Sequence, residues 1–332
     1  MKTFIRSVLL FLIPFILMAV LYLILDPFKV MYHYEAFYPT HSRLPNPLNR
    51  DYISTTIFDN RYKTEKYDSF IFGNSRSEFF EISDWKQHIP RQSSCYHFVA
   101  AGETLFGMYK KFQYVDKKGV IMKNAIIVLD NSLLSYDRSK PGSLFIISPQ
   151  LVDYSNWLDF HATFLKAVFS PKFIAAFIES KFSDRYTLYR THDLITNEFY
   201  FFENERLIKE NKYYTPERMS VFYKRAKIPA YSPPAIKASQ TRFLTEMAAI
   251  LKKHKTQYKI IINPLYNQVK ISRKDLDFIK RTFGEENVSD YSGINKFTED
   301  YRNYYEDSHF RPVVARQIMS EIYSTPKQSG LK

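Results

Sequence analysis

The chain is predicted to be an α/β protein built on a central parallel sheet. Two observations carry the prediction. Short apolar runs of strand length recur from residue 69 onward, and segments of helical periodicity lie between them. Near-continuous apolar runs of this kind suit strands covered on both faces, and ligand chemistry in such a sheet gathers at the carboxyl ends of its strands.

Taken in chain order, the first element is a helix. Lys2 and Arg6 precede an apolar run from Val8 to Leu25, 18 residues without a charge, closed by Asp26 and Pro27. That run is long enough to cross a bilayer and longer than the core of a cleavable signal peptide; no small-x-small cleavage site follows it. Residues 1–27 are therefore read as a cytoplasmic stub and transmembrane signal anchor. The basic N-terminal side places the rest of the chain outside the cytoplasm. Residues 28–66, rich in Tyr, Pro and Asn without sustained periodicity, read as a lead-in climbing away from the membrane.

Five strands are then predicted, at Ser69–Phe72, Cys95–Ala100, Asn124–Leu129, Tyr258–Ile262 and, weakly, Asn287–Asp290. The clearest helix spans 238–255, with Phe243, Met247, Ile250 and Leu251 on one face and Lys252, Lys253 and Lys255 at its C-terminal end. From about 139 to 234 the alternation breaks, and a helical insertion is expected. Its stretch 156–182 carries Trp157, Phe160, Phe164, Phe169, Phe173, Phe177 and Phe182, and Pro171 divides it into two helices at most. Two readings stay open for this stretch: packing on the α/β core, or an interfacial hairpin on the membrane that holds the anchor. Residues 326–332 read as a tail.

Composition narrows the partners. A net charge of +13, from 47 Lys and Arg against 34 Asp and Glu, suits a polyanion or anionic headgroups. The outward topology makes nucleic acid the least fitting of these. Cys95 is the only cysteine, so no intrachain disulfide forms and a thiolate zinc site is excluded; it reads as a small buried apolar residue. No metal or cofactor is expected. The 26 Tyr and 29 Phe suit core and membrane-interface packing, with sugar stacking as the sharper alternative.

Two short motifs bear on chemistry. In YDSFIFGNSRSEFF, 67–80, a strand runs through Gly73-Asn74 into Ser75 and a predicted helix. Glycine permits a sharp turn there, and backbone N–H groups of the following helix would face a developing negative charge. Ser75 thus reads as a nucleophile, as a helix cap, or as part of an anion-binding turn. Near the other end, YYEDSHFRPVV places Glu306, Asp307 and His309 before a helix whose first turn Pro312 marks. A histidine beside a carboxylate suits a general base with its orienting acid.

Together these ends resemble the SGNH/GDSL hydrolase superfamily, whose first block has the form GDSxS and whose closing block is D-x-x-H. Gly73-Asn74-Ser75-Arg76-Ser77 matches the first block with Asn where the family has Asp. The resemblance implies a flavodoxin-like three-layer α/β/α domain at 67–325 with a parallel sheet of about five strands. It makes Ser75 the nucleophile, His309 the base, and Glu306 the acid by its spacing, with Asp307 as alternate. It assigns the oxyanion hole to Ser75, Gly102 of Ala101-Gly102-Glu103-Thr104 and, one position offset, Asn131, with Asp130 as the alternative holder of that place. Asn74 and Arg76 are expected to line the substrate site. The order of motifs is most similar to that of bacterial membrane-anchored envelope proteins of polysaccharide O-acetylation and lipoteichoic acid D-alanylation. A serine esterase or O-acyltransferase of the cytoplasmic membrane, acting outward on an envelope glycan, is the expectation, with an acyl-donor membrane protein as a possible partner. A catalytically inactive, SGNH-like glycan-binding or scaffold protein is the alternative.

Overall fold

The computed structural model describes residues 1–38, 48–182, 191–225 and 228–324. The predicted tail, 326–332, and residues 39–47 of the lead-in lie outside them.

Helix α1 (Lys2–Leu25) is long and apolar enough to span a membrane, and all but its last turns are exposed. Pro14 lies within it, as bilayer-spanning helices tolerate. It ends at Asp26, whose carboxylate accepts the N–H groups of Val30 and Met31, both at 2.9 Å, and turns the chain back.

The body is an α/β fold with a parallel sheet of five strands: β1 (Ser69–Gly73), β2 (Cys95–Val99), β3 (Asn124–Leu129), β4 (Gln257–Ile262) and β5 (Val288–Asp290), in the order β2-β1-β3-β4-β5. Every predicted strand is present within a residue or two, and all neighbours pair in parallel. Side chains alternate between two apolar clusters. Phe70, Phe72, Ile127 and Ile260 enter one, while Ile71, Ile126, Val128 and Ile261 enter the other. Both faces are therefore dry, which is why the strand sequences read as continuous apolar runs.

On the first face lie α2 (Arg50–Glu65), α3 (Leu105–Lys117) and the predicted helix near 238, here α6 (Ala238–His254), with α7 (Arg273–Phe283) behind. Helix α2 falls inside the stretch read as a lead-in, yet Ile53, Ile57 and Phe58 are core residues. It also buries Ser54, Thr55 and Thr56, and that polar content concealed its periodicity. The second face is covered by α8 (Pro312–Ser324), through Val314, Ala315, Ile318 and Met319. Cys95 is buried there, and burial pushes its thiol up to about 12.

Between β3 and α6 the chain is mixed rather than purely helical. It carries α4 (Trp157–Val168), α5 (Pro171–Phe182), a short antiparallel ribbon of Thr191–His192 with Phe199–Tyr200, and a helical piece at Phe202–Lys209. Pro171 separates α4 from α5, as the sequence predicts. Phe199, Phe201 and Tyr213 join the second-face cluster. By contrast, Phe160, Phe164 and Val168 of α4 pack with Tyr22, Phe28 and Val30, forming a third cluster at the exit of α1.

Candidate active site

The site forms where β1, β2 and β3 end. Its first part is the turn after β1. Gly73 has no positive φ, so backbone freedom is not its role here. Space is: a Cβ would stand 2.6 Å from Ser77 Cβ and 3.1 Å from Val128 Cβ. The chain then enters a 3-10 turn, Ser75–Phe79, where an α-helix was expected. Burial of Phe79 and Phe80 halts it after one winding. With so short a helix, no dipole of consequence faces Ser75; the Arg76 and Ser77 N–H groups bond Asn74 at 3.0 and 2.8 Å.

Ser75 and Ser77 have opposite environments. Ser77 is buried; its hydroxyl donates to the Asn74 carbonyl at 2.7 Å and lies 2.9 Å from His97 Nε2. Burial, with Arg50 and Lys111 nearby, pushes His97 down to about 3, so it is neutral and donates its Nε2 proton to Ser77. Ser77 is thereby a clamp on the turn. Ser75 is half-buried, and its Oγ lies 2.8 Å from His309 Nε2.

His309 is presented by a tight antiparallel ribbon, Tyr304–Glu306 with His309–Phe310, in which Glu306 stands opposite His309. A two-residue turn makes partners of positions i and i+3, and this is the reason for the acid's spacing. Glu306 Oε1 bonds His309 Nδ1, and Glu306 Oε2 accepts the Ser308 N–H at 2.7 Å. Asp307 sits in the turn, accepts the Ser308 hydroxyl at 3.2 Å and has no bond to His309. Glu306 is thus the carboxylate that meets His309, and Asp307 is not. Burial favours a protonated Glu306, but the His309 hydrogen bond and charge outweigh it and hold the carboxyl below its usual range. A neutral imidazole that donates Nδ1–H to Glu306 offers Nε2 as the acceptor for Ser75. The Phe79 ring lies edge-on to the imidazole at 5.7 Å, and Glu205 pairs with Arg311 at 2.6 Å to fasten the ribbon.

Asp130, just beyond β3, joins these parts. It is buried and accepts from Asn74 Nδ2 at 2.7 Å, Arg76 Nη1 at 2.9 Å and the Leu133 N–H at 3.0 Å. Arg76 Nε also donates to the Ser308 carbonyl at 2.9 Å. One guanidinium therefore ties the Ser75 turn to the loop that carries His309. Burial raises the Asp130 pKa, but the Arg76 charge and the Asn74 amide outweigh that and hold it low. Asn74 is buried and Arg76 partly exposed, and through these bonds both brace the turn against Asp130. The same bonds suit an amide at position 74. An Asp there would set two carboxylates in hydrogen-bonding contact, whereas Asn74 donates to Asp130.

On the other side, the Ala100 N–H bonds the Gly73 carbonyl at 3.4 Å, bringing the Gly102 loop beside the turn. Gly102 has φ +58°, and a Cβ would lie 3.1 Å from the Phe145 ring and 3.6 Å from Lys140 Nζ. Neither the Gly102 nor the Ser75 N–H is taken up by a turn or loop hydrogen bond of the described residues. Beneath the loop, Lys111 is fully buried between Asp51, at 2.7 Å, and Glu103. Asn131 opens a short helix, Asn131–Leu134; its side-chain oxygen is buried without a hydrogen-bond partner, and no bond joins it to the Ser75 turn. Among the described residues no group of acidic, His or Cys side chains could hold a metal.

Sequence reasoning missed Asp130 as the organiser, Lys140 beside Gly102, and the buried Asp51–Lys111–Glu103 set. Only Asp130, directly after a predicted strand, carried a usable signal. No protein-family model matches the chain, and no curated protein matches it.

Proposed function

We propose that the chain is a serine esterase or O-acyltransferase of SGNH type, anchored in a bacterial cytoplasmic membrane by α1 and acting on a cell-envelope glycan outside the cytoplasm. In this reading the sheet and the helices on its two faces form a flavodoxin-like three-layer domain, and 139–234 is an insertion into it. The observation that carries the chemistry is the continuous line Ser75 Oγ, His309 Nε2, His309 Nδ1, Glu306 Oε1, assembled from residues 234 positions apart.

Ser75 Oγ gives its proton to His309 Nε2 and attacks the acyl carbonyl carbon. The carbonyl π pair moves to oxygen, where the N–H groups of Ser75 and Gly102 receive it, with the Lys140 ammonium nearby. Glu306 holds the imidazolium through Nδ1–H. Collapse expels the leaving alkoxide, which takes the proton from Nε2 and leaves an acyl-serine. Water or a sugar hydroxyl then repeats the sequence in reverse. The glycan is proposed from the resemblance and the topology, and the acyl-donor partner from the resemblance alone.

The test is hydrolysis of p-nitrophenyl acetate by the purified full chain. Ser75→Ala should reduce it to the uncatalysed rate, while equal rates in the two proteins would sink the catalytic reading. In that event the inactive glycan-binding or scaffold alternative takes its place.

A further inference from the structure

Helices α4 and α5 do not rest on the sheet. They form a hairpin against the exit of α1, and α4 runs back along it. Near the top, Phe160 meets Tyr52 at 5.3 Å with tilted rings and shares a cluster with Tyr22; midway, Phe164 meets Phe28 at 5.1 Å. At the bottom, Phe169 in the hairpin's turn meets Phe15 at 6.0 Å. Phe15 lies seven residues before Tyr22, the last buried ring of α1, so the turn reaches on the order of 10 Å below it at 1.5 Å per residue.

We infer that the α4–α5 hairpin is embedded in the outer leaflet beside α1, with its Phe169–Pro171 turn among the acyl chains at the level of Phe15. The inference rests on reading α1 as a membrane span, and the partner it commits to is lipid. A turn about 10 Å below Tyr22 lies within an outer leaflet whose acyl region is about 15 Å thick, half of the bilayer core. The side chains agree. Lys166 and Lys172, on either side of the turn, are exposed and can extend their ammonium groups back to lipid phosphates. Higher up, Tyr154 and Trp157 are exposed aromatics of the type found at membrane interfaces. Asp159 and Glu179 are far from the turn along their helices.

The hairpin also brings the candidate site close to lipid. Ile146 belongs to the same cluster as Tyr22 and Phe160, and its neighbour Phe145 covers Gly102. A single loop thus links the membrane exit to the oxyanion side of the site.

Depth-dependent quenching tests this on the full chain in phosphatidylcholine vesicles containing phosphatidylglycerol. Buried Cys95 stays unlabelled, so single probes can be attached through Phe169→Cys, Leu10→Cys in α1 and Lys252→Cys on α6. Lipids with a nitroxide on the acyl chain should quench the 169 and Leu10 probes and leave the 252 probe bright. Quenching at 10 without quenching at 169 overturns the hairpin inference, a second protein chain covering it included, and leaves the anchor standing. No quenching at either position overturns both. Should Phe169→Cys fail to fold, Ala175→Cys, exposed on α5, gives the same readout.

Discussion

The rim of the sheet and the exit of α1 are held together by different physics. At the rim, polar groups meet specific partners: Asp130 meets Asn74, Arg76 and the Leu133 N–H, Glu306 meets His309 and the Ser308 N–H, and Lys111 meets Asp51 and Glu103. At the α1 exit, Tyr22, Phe28, Phe160, Phe164 and Val168 meet through apolar contact, with rings tilted or edge-on. Hydrogen bonds are directional and fix positions to fractions of an ångström, whereas apolar burial is close to indifferent to orientation. The first arrangement suits a site whose nucleophile and base must coincide. The second suits an element that has only to stay at a given depth.

The comparison predicts that rim variants change rate and exit variants change stability. The largest effect is expected at the ends of the triad: Ser75→Ala or His309→Ala should lower kcat by at least about 10⁴-fold, with the melting temperature little altered. Next comes the acid. Glu306→Gln should cost on the order of 10³ to 10⁴-fold in kcat, while Asp307→Asn leaves it near wild type. Comparable losses in the two would place the acid at 307 and break the geometric assignment.

At the α1 exit, Phe164→Ala should lower unfolding stability by about 3–5 kcal/mol, read by denaturant titration, with kcat per folded molecule unchanged. A fall in kcat would show that the two regions are coupled. Arg76→Ala should affect both quantities, because it strips a buried carboxylate of its cation, about 3 kcal/mol, and frees the Ser308 loop that carries the base.

The smallest effect lies in pH dependence. Asp130 has a depressed folded-state pKa, so its contribution to stability is complete above its unfolded value, about 4, and fades as pH falls through the lower folded value. Wild type should therefore lose stability below about pH 4 more steeply than Asp130→Asn, measured as midpoint against pH. Parallel slopes would mean that the Asp130 charge is not what braces the turn.

Much of this was legible beforehand. The strands were readable because a sheet covered on both faces needs apolar residues on both, and α6 because one of its faces alone is buried. Ser75, His309 and Glu306 were reachable from motif and spacing. Helix α2 was not, since its buried Ser54, Thr55 and Thr56 resemble a solvated surface until their surroundings are known. Nor were the roles of Asn74 and Arg76, because a polar side chain beside a nucleophile looks the same whether it faces substrate or Asp130.

Local patterns by themselves determined which segments are apolar, how long they are and where they turn: the length of α1, the five strands, the break at Pro171 and the Glu306–His309 interval. These depend on neighbours within a few residues. Tertiary structure alone decided that Ser77 meets His97, why Gly73 must lack a side chain, that Asp130 holds Asn74 and Arg76, and that α4 packs on α1 and not on the sheet. Each of those depends on groups remote in sequence being driven together by burial, and burial of a polar group is tolerated only where a partner from elsewhere in the chain arrives to satisfy it.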